Sequence, residues 1–239
     1  MGHDLITIYW LKAIEYVLAV SYLPAFLLFW KFASPKAEAR VPAAVTAPGW
    51  ADQLAGFFQL PANLFFHPGH TWVRLDGGDT VTIGLSDFAQ KLVGPLGRVR
   101  LPEAGAMLVQ GEPALTLDAD GAAVPMLAPV DGRVLAVNPV LAGSSDAVKQ
   151  APYGDGWLMK VQSSRLAANL KGLMTGTLAS KWMDAVCESL GAEMAPMELG
   201  KVYLDGGHIV DGLARGLAHD DWDQVARRFF LTEEGGRNA

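Results

Sequence analysis

Two kinds of hydrophobic pattern divide the chain. Residues 5–32 are almost continuously apolar or aromatic, whereas from His70 onward short apolar runs alternate with turns rich in glycine and aspartate. A helix needs about 20 apolar residues to cross the hydrocarbon core of a bilayer, so residues 11–30 predict one transmembrane helix. The short runs predict strands joined by tight turns. The pattern therefore indicates a membrane anchor followed by a domain built mainly of strands.

Several residues of the apolar segment fit a membrane anchor. Lys12 and Glu15 are three residues apart, so on a helix they share a face and can pair. Trp10 and Trp30 lie where aromatic side chains mark the two membrane interfaces. Pro24 predicts a kink, which neighbouring helices tolerate in a membrane. These five residues are the predicted anchor residues, in contact with the lipid bilayer and with other integral membrane subunits.

The charges beside the apolar segment indicate its orientation. A cleaved signal peptide is the alternative to an anchor, but residues 1–15 hold one Asp, one Glu and one Lys rather than a basic run. Lys31, Lys36 and Arg40 follow the span, and only Lys12 and the amino terminus precede it. The positive-inside rule then favours a single pass in a bacterial inner membrane with a cytoplasmic body over a periplasmic one.

The region after the anchor predicts an α+β domain in which strands dominate. Residues 70–75 and 80–85 flank a glycine-rich turn and predict a hairpin, and Ser86 is placed to cap a short helix. Residues 115–138 contain two apolar runs around Asp120-Gly121, a dipeptide that favours a tight primed turn. We predict four segments: the anchor (1–33), an Ala/Pro-rich tether with a short helix (34–60), the strand-rich domain (61–165) and a helical C-terminal extension (166–239).

Six motifs in the strand-rich region occur in the order found in a known family. They are His70-Thr71-Trp72-Val73-Arg74, the run from Ile83 to Leu92, Leu101-Pro102-Glu103-Ala104-Gly105, Val109-Gln110-Gly111-Glu112, Ala128-Pro129-Val130-Asp131-Gly132 through Asn138, and the run from Pro152 to Val161. Together they resemble the H-protein of the glycine cleavage system, which carries a lipoyl group. The resemblance implies a barrel-sandwich hybrid of two small sheets.

The chain departs from this family at the hairpin tip. The resemblance implies a lysine there that carries the cofactor through an amide bond. Aligned without gaps on residues 128–132, Gly121 occupies the lysine position and Asp118 retains a nearby acid, and no lysine lies between Lys91 and Lys149. Arg133 cannot substitute, because its guanidinium stays protonated. We therefore predict no covalent lipoyl group and no other cofactor, and we expect Asp118 and Asp120 to be solvated.

Composition and charge exclude several classes of function. The net charge of −6 offers no electrostatic footprint for nucleic acid. Cys187 is the single cysteine, so no internal disulfide is possible, and a small buried core residue is the expected role. His208 and His219 show no zinc-ligand spacing, so no metal is predicted. Because no catalytic constellation is present either, we predict a protein that is not an enzyme and has no small-molecule substrate.

The C-terminal extension predicts helices with apolar faces. Residues 164–191 have apolar positions at helical spacing, interrupted by Gly172 and Gly176, and residues 211–230 predict one or two further helices that residues 219–221 could cap. Such faces pack within the chain or dock a partner. The candidate docking residues are Trp182, Trp222, Phe229 and Phe230.

Two functional hypotheses follow from these features. The first is a non-catalytic, non-lipoylated accessory or scaffold subunit of a bacterial membrane complex, in particular a quinone-linked oxidoreductase or electron-transfer assembly, where the redox setting rests on analogy. The second is a periplasmic adaptor like the membrane-fusion proteins of export pumps, which also join one membrane helix to an unmodified lipoyl-like domain. Those adaptors carry a long α-hairpin insertion, for which residues 122–127 leave no room.

Overall fold

The computed structural model describes Lys12, Tyr16, Leu54, residues 56–194, the backbone of residues 204, 205, 208 and 209, and residues 211–233. The chain divides into two units, Met1–Thr46 and Ala47–Ala239. In the first unit Lys12 and Tyr16 are helical and exposed. Trp10, Glu15, Pro24 and Trp30 lie outside the described residues. Within the described part, no helix combines the length and apolar character that crossing a bilayer requires, so the anchor stays a prediction.

The second unit contains both strands and helices. Its strands are β1 (Phe65–Phe66), β2 (Thr71–Gly77), β3 (Thr80–Leu85), β4 (Arg98–Arg100), β5 (Met107–Leu108), β6 (Pro113–Ala119), β7 (Ala122–Leu127), β8 (Gly132–Val137), β9 (Met159–Gln162), β10 (Leu204–Asp205) and β11 (His208–Ile209). Its α-helices are α1 (Asp87–Val93), α2 (Asp146–Gln150), α3 (Leu166–Asn169), α4 (Gly176–Met194), α5 (Leu213–Leu217) and α6 (Trp222–Phe229). Short 3₁₀ turns occupy Pro139–Ala142 and Leu170–Gly172.

The strands form two larger antiparallel sheets and one short ribbon. The strand order is β1-β2-β3-β9-β8-β5 in the six-stranded sheet and β4-β6-β7 in the three-stranded sheet, while β10 pairs with β11. Strands β2 and β3 are paired from Thr71, opposite Leu85, to Gly77, opposite Thr80. This pairing confirms the first predicted hairpin. The mixed sheet-and-helix fold agrees with the predicted class, and β6 and β7 form the second predicted hairpin.

One hydrophobic core joins the two larger sheets to the helices. Val81 and Ile83 of β3 pack in the same buried cluster as Leu117 of β6, Met126 of β7 and Leu92 of α1. Helix α1 begins where predicted, because the Ser86 side chain accepts a hydrogen bond from the Ala89 backbone N–H at 3.2 Å. The core thus fixes β6 and β7 from one side and leaves their turn at the end of the sheet.

The C-terminal helices also contribute to this core. The predicted breaks near Gly172 and Gly176 are present, since α3 and a 3₁₀ turn precede α4. Residues 211–230 form two helices, α5 and α6, as one of the predicted alternatives had it. Asp221 occupies the N-cap position of α6, within the predicted residues 219–221, but it does not cap the helix through its side chain. Its carboxylate accepts a hydrogen bond from the Gln224 side chain at 3.2 Å rather than from a backbone N–H.

Candidate functional site

The tip of the β6–β7 hairpin is a two-residue turn. Ala119 of β6 pairs with Ala122 of β7, and Asp120 and Gly121 between them have φ angles of 45° and 81°. Positive φ at both central positions is the signature of a type I′ turn, which confirms the predicted primed turn. A Cβ placed on Gly121 would have no heavy atom within 4 Å. Position 121 therefore faces open space, but its backbone conformation favours glycine.

The hairpin offers no primary amine. Leu117, Ala119, Val124 and Met126 point into the core, and the chain has no lysine between positions 91 and 149. The two lysines that bound this gap are engaged elsewhere. Lys91 contacts the Asp87 carboxylate at 2.8 Å, and Lys149 contacts the Asp211 carboxylate at 2.7 Å. Arg133 lies on β8, in the other sheet, and also supplies no amine to the tip.

Both acids of the hairpin have arginine partners, which the sequence did not predict, and Asp120 is also exposed to solvent as expected. Asp118 accepts from Arg100 of β4 at 2.6 Å. The Asp120 carboxylate lies 2.9 Å from Arg215 Nε, although that Nε makes no well-aligned hydrogen bond. We therefore regard the Asp120–Arg215 contact as an ion pair and not as a directed hydrogen bond. The Asp120 side chain remains 64% exposed, so water screens this pair.

Arg215 and Arg227 connect the C-terminal helices to the hairpin. The Arg215 guanidinium lies 5.1 Å from the ring centre of Trp222 and donates to the Pro95 carbonyl at 3.4 Å. Arg227 of α6 donates to the Ala123 carbonyl of β7 at 2.5 Å and also contacts Asp223. The sequence analysis did not single out either arginine. The sequence feature that could have identified them is a cation on the polar side of a short amphipathic helix. For Arg215 there is also an acid, Asp120, at the hairpin tip.

The residues predicted to dock a partner are largely used within the chain. Trp222 and Phe230 are buried, with 5% and 0% of their surface exposed, and both belong to the main core. The docking prediction for these two residues therefore needs correction, because their rings already pack against this chain. Trp182 and Phe229 are half-buried and pack against His70 and Phe88, respectively.

The return arm of the hairpin is held by a partly buried polar network. Asp131 accepts from the Gln110 backbone N–H at 2.8 Å and from the Asn169 side chain at 3.0 Å. The Gln110 side chain in turn donates to the carbonyls of Pro129 and Asn169. The Gln110 hydrogen bond, with help from Asn169 and Arg165, lowers the pKa of Asp131. Motif residues Gln110 and Asp131 thus have a structural role in joining the hairpin to α3.

Two buried histidines precede the first hairpin. His70 stacks on Phe88 at a ring separation of 4.2 Å, and Trp182 lies 4.8 Å away on the same ring. Burial lowers the pKa of His70 to about 3, with a further contribution from His67, and burial lowers the pKa of His67 to about 4. His67 Nδ1 accepts from the Gly69 backbone N–H, so its ring proton is on Nε2. Both rings are neutral near pH 7.

Cys187 and His219 are the remaining candidate reactive side chains. Cys187 is buried, as predicted, and burial raises the pKa of its thiol to about 11. A thiol with so high a pKa is a poor nucleophile at neutral pH. His219 is exposed on the turn before α6. In the portion of the chain that is described, no three His, Cys, Asp or Glu side chains cluster as metal ligands would.

The fold and the hairpin together define a small domain of two antiparallel sheets that presents one tight hairpin. A sequence model of the family described as glycine cleavage H-protein matches residues 64–186. The glycine cleavage system H protein of Mycobacterium avium (strain 104) is 43% identical over 119 residues, 50% of this chain and 89% of that protein. The one from Chromobacterium violaceum is 38% identical over 126 residues, 53% of this chain and 98% of that protein.

A solved structure is also similar. The crystal structure of a glycine cleavage system H protein from Mycobacterium marinum matches with a TM-score of 0.46 and 24% identity, covering 53% of this chain and 98% of that one. On the family match and the sequence relatives, the chain belongs to the glycine cleavage H-protein family. The family match ends at residue 186, so α5 and α6 lie beyond it.

Proposed function

We propose that this chain is a non-catalytic, non-lipoylated accessory subunit that uses its H-protein-like domain as a protein-docking scaffold in a bacterial membrane complex. One observation carries the proposal: the hairpin closes through Asp120-Gly121, has no amine, and pairs its tip carboxylate with Arg215 of the same chain. A lipoyl amide needs a side-chain amine. A tip without one, and with an intramolecular ion pair, suits a structural role.

The proposal that the chain is not an enzyme is supported by its ionisable groups. Burial keeps the His67 and His70 rings neutral near pH 7 and raises the pKa of Cys187. None of these shifts brings a group towards pH 7, where general acid–base catalysis works best. Hydrogen bonds and packing account for the three side chains, which supports a scaffolding role.

The membrane setting of the proposal rests on the sequence. Residues 5–32 are apolar enough to span a bilayer, and a polar pair within such a segment suggests contact with other membrane helices. Integral membrane subunits are therefore the proposed partners, at a bacterial inner membrane with the domain on the cytoplasmic side. A quinone-linked or other electron-transfer assembly is the proposed setting by analogy. We further propose that the two sheets form a barrel-sandwich hybrid.

Co-purification tests this proposal. Native membranes are solubilised in a mild detergent, the full chain is purified through a C-terminal tag, and its companions are identified by mass spectrometry, with untagged cells as the control. We expect integral redox subunits in fixed ratio to the chain. Export-pump channels would instead support a periplasmic adaptor, which the two-residue turn at 120–121 makes less suitable. A chain that purifies alone would contradict both assignments.

A further inference from the structure

The C-terminal segment 211–230, which contains α5 and α6, covers one face of the domain. Its Gly212 backbone N–H donates to the Lys91 carbonyl at the end of α1, at 2.7 Å. Arg215 reaches Asp120 at the hairpin tip, and Arg227 reaches the Ala123 carbonyl on β7. Phe230 packs 5.8 Å from the His70 ring. One short segment therefore contacts α1, the hairpin tip, β7 and the loop before β2.

This face includes a sheet edge. Strand β7 is the outer strand of the three-stranded sheet, and α6 lies against it. An uncovered edge strand exposes backbone groups that can pair with another chain, and proteins commonly cover such edges with a helix. The Arg227 hydrogen bond goes to a backbone carbonyl of that edge strand. The segment thus occupies the position that a docking protein would need.

One relative has almost no sequence for such a cover. In the Chromobacterium violaceum protein, 126 aligned residues already account for 98% of the length. The family match in this chain stops at residue 186. That relative therefore has almost no residues left for α5 and α6. This makes the segment an addition to the domain that the family shares, although its buried residues pack on the core of that domain.

The segment depends on the domain for its own order. Helices α5 and α6 have 5 and 8 residues, well below the roughly 12 residues that an isolated helix needs for marginal stability. Trp222, Ala226 and Phe230 are buried on the domain side of this segment. If the segment leaves the domain, we expect its helices to unfold and the β7 edge to become exposed in the same step.

We infer that residues 211–230 are a detachable intramolecular cover that closes the hairpin tip and the β7 edge to other proteins. The polar contacts orient the cover: Arg215 recognises the Asp120 carboxylate and Arg227 the edge carbonyl. The buried rings supply most of the binding. This contact would regulate access to the face, whichever complex the chain joins. The inference therefore stands independently of the membrane assignment.

Hydrogen exchange on the full-length chain, read by mass spectrometry, tests the inference. Trp222→Ala should increase exchange about ten-fold or more in peptides from 213–229 and 122–127, while peptides from β2, β3 and β9 keep their wild-type rates. Equal acceleration across all peptides would overturn the inference, because it would make the segment part of the obligatory core. Unchanged exchange in 213–229 would also overturn it.

Two milder substitutions test the same cover without removing a buried ring, so gross unfolding is not expected. Arg227→Gln removes the contact with β7, whereas Arg228→Gln alters the next residue of the same helix, which pairs with Glu193 instead. We expect Arg227→Gln to accelerate exchange several-fold in peptide 122–127 and Arg228→Gln to leave that peptide unchanged. Equal effects of the two substitutions on peptide 122–127 would contradict the assigned contact.

Discussion

The two main hairpins close through different two-residue turns and have different tertiary roles. In β2–β3 the turn is Gly78-Asp79, of which only Gly78 has positive φ, and in β6–β7 both turn residues, Asp120 and Gly121, have positive φ. The acid near the first turn, Asp76, pairs with Lys160 of β9 in the same sheet at 3.2 Å. The acid at the second turn pairs with Arg215 from the C-terminal segment. The turn sequence thus determines where a hairpin forms, but it does not determine which distant residue pairs with the acid at the turn.

The hairpins also differ in how they meet the core. Trp72 of β2 lies directly over Gly84 of β3, where even a single Cβ would collide with the indole ring. The indole cannot move aside easily, because its Nε1 donates to the carbonyls of Leu85 and Pro152. The tip of β6–β7 has open space at Gly121 instead. The first hairpin is therefore tightly packed at Gly84, whereas the tip of the second has space for a side chain.

The largest expected effect on stability comes from a substitution in the first hairpin. Gly84→Ala should lower the free energy of unfolding by about 2–3 kcal/mol, as expected for overpacking a rigid site. Chemical denaturation of the full chain measures this value. Gly143→Ala is the control, since its Cβ would lie at an ordinary distance of 3.8 Å from its nearest neighbour, the Val140 carbonyl. Similar losses at the two positions would show that the Trp72–Gly84 packing is not tight.

Acid should weaken the packing around His70. The folded-state pKa values of His70 and His67, about 3 and about 4, lie below their unfolded value of 6.5. Their contribution to stability is therefore complete above pH 6.5 and is lost as the pH falls towards 4 and 3. Each histidine contributes at most about 1.4 kcal/mol per pH unit in that interval.

The control for this pH effect is His70→Asn. Asparagine suits the positive φ of 65° at this position and does not titrate. Denaturation midpoints at pH 7, 6 and 5 should fall less steeply with acid in the variant than in the natural chain. Parallel slopes in the two proteins would show that His70 is not the titrating group.

Lysine substitutions at the two turns compare the charges that surround them. Gly121→Lys and Gly78→Lys both place a side chain in open space on a left-handed backbone, at a cost of about 1–2 kcal/mol each. The substitution at position 121 also adds a cation beside the Asp120–Arg215 ion pair, whereas the one at position 78 adds a cation near Asp76 and Asp79. We expect Gly121→Lys to lose slightly more stability, and the difference to shrink as salt is added. A smaller loss at 121 than at 78 would contradict the proximity of Arg215.

The smallest expected effect concerns the ion pair itself. A double-mutant cycle of Asp120→Asn and Arg215→Gln should give a coupling of about 0.2–1 kcal/mol, the usual range for exposed pairs. The Arg100–Asp118 pair of the same hairpin provides a comparison cycle. A zero coupling for Asp120 and Arg215, alongside a measurable one for Arg100 and Asp118, would show that the ion pair at the hairpin tip does not stabilise the protein.

The sequence predicted local structure well where the signals are local. The Asp120-Gly121 turn, the Ser86 cap and the breaks near Gly172 and Gly176 each depend on the conformational preference of one or two residues. The family resemblance also followed from motifs with short spacing. Such features need no knowledge of distant contacts, which explains why they could be read directly from the chain.

Contacts between distant segments could not be predicted in the same way. The arginine partner of Asp120 could not be predicted, because Arg215 lies far along the chain, in a separate helix. The sequence leaves open whether Trp222 and Phe230 pack within the chain or dock another protein, because an apolar helix face has the same sequence pattern in both cases. Asp221 is at the N-cap position of α6, but its carboxylate accepts from the Gln224 side chain, a choice between donors that the sequence pattern does not decide.

Intact-mass analysis of the natural chain is the most direct test of the absent carrier function. The protein is purified from cells that lipoylate their own carrier proteins, and the mass measurement is followed by peptide mapping of all lysines. We predict the mass of the unmodified polypeptide and no lipoyl-bearing peptide. A lipoyl group on any lysine of this chain would contradict the central claim that this H-protein-like domain acts without a cofactor arm.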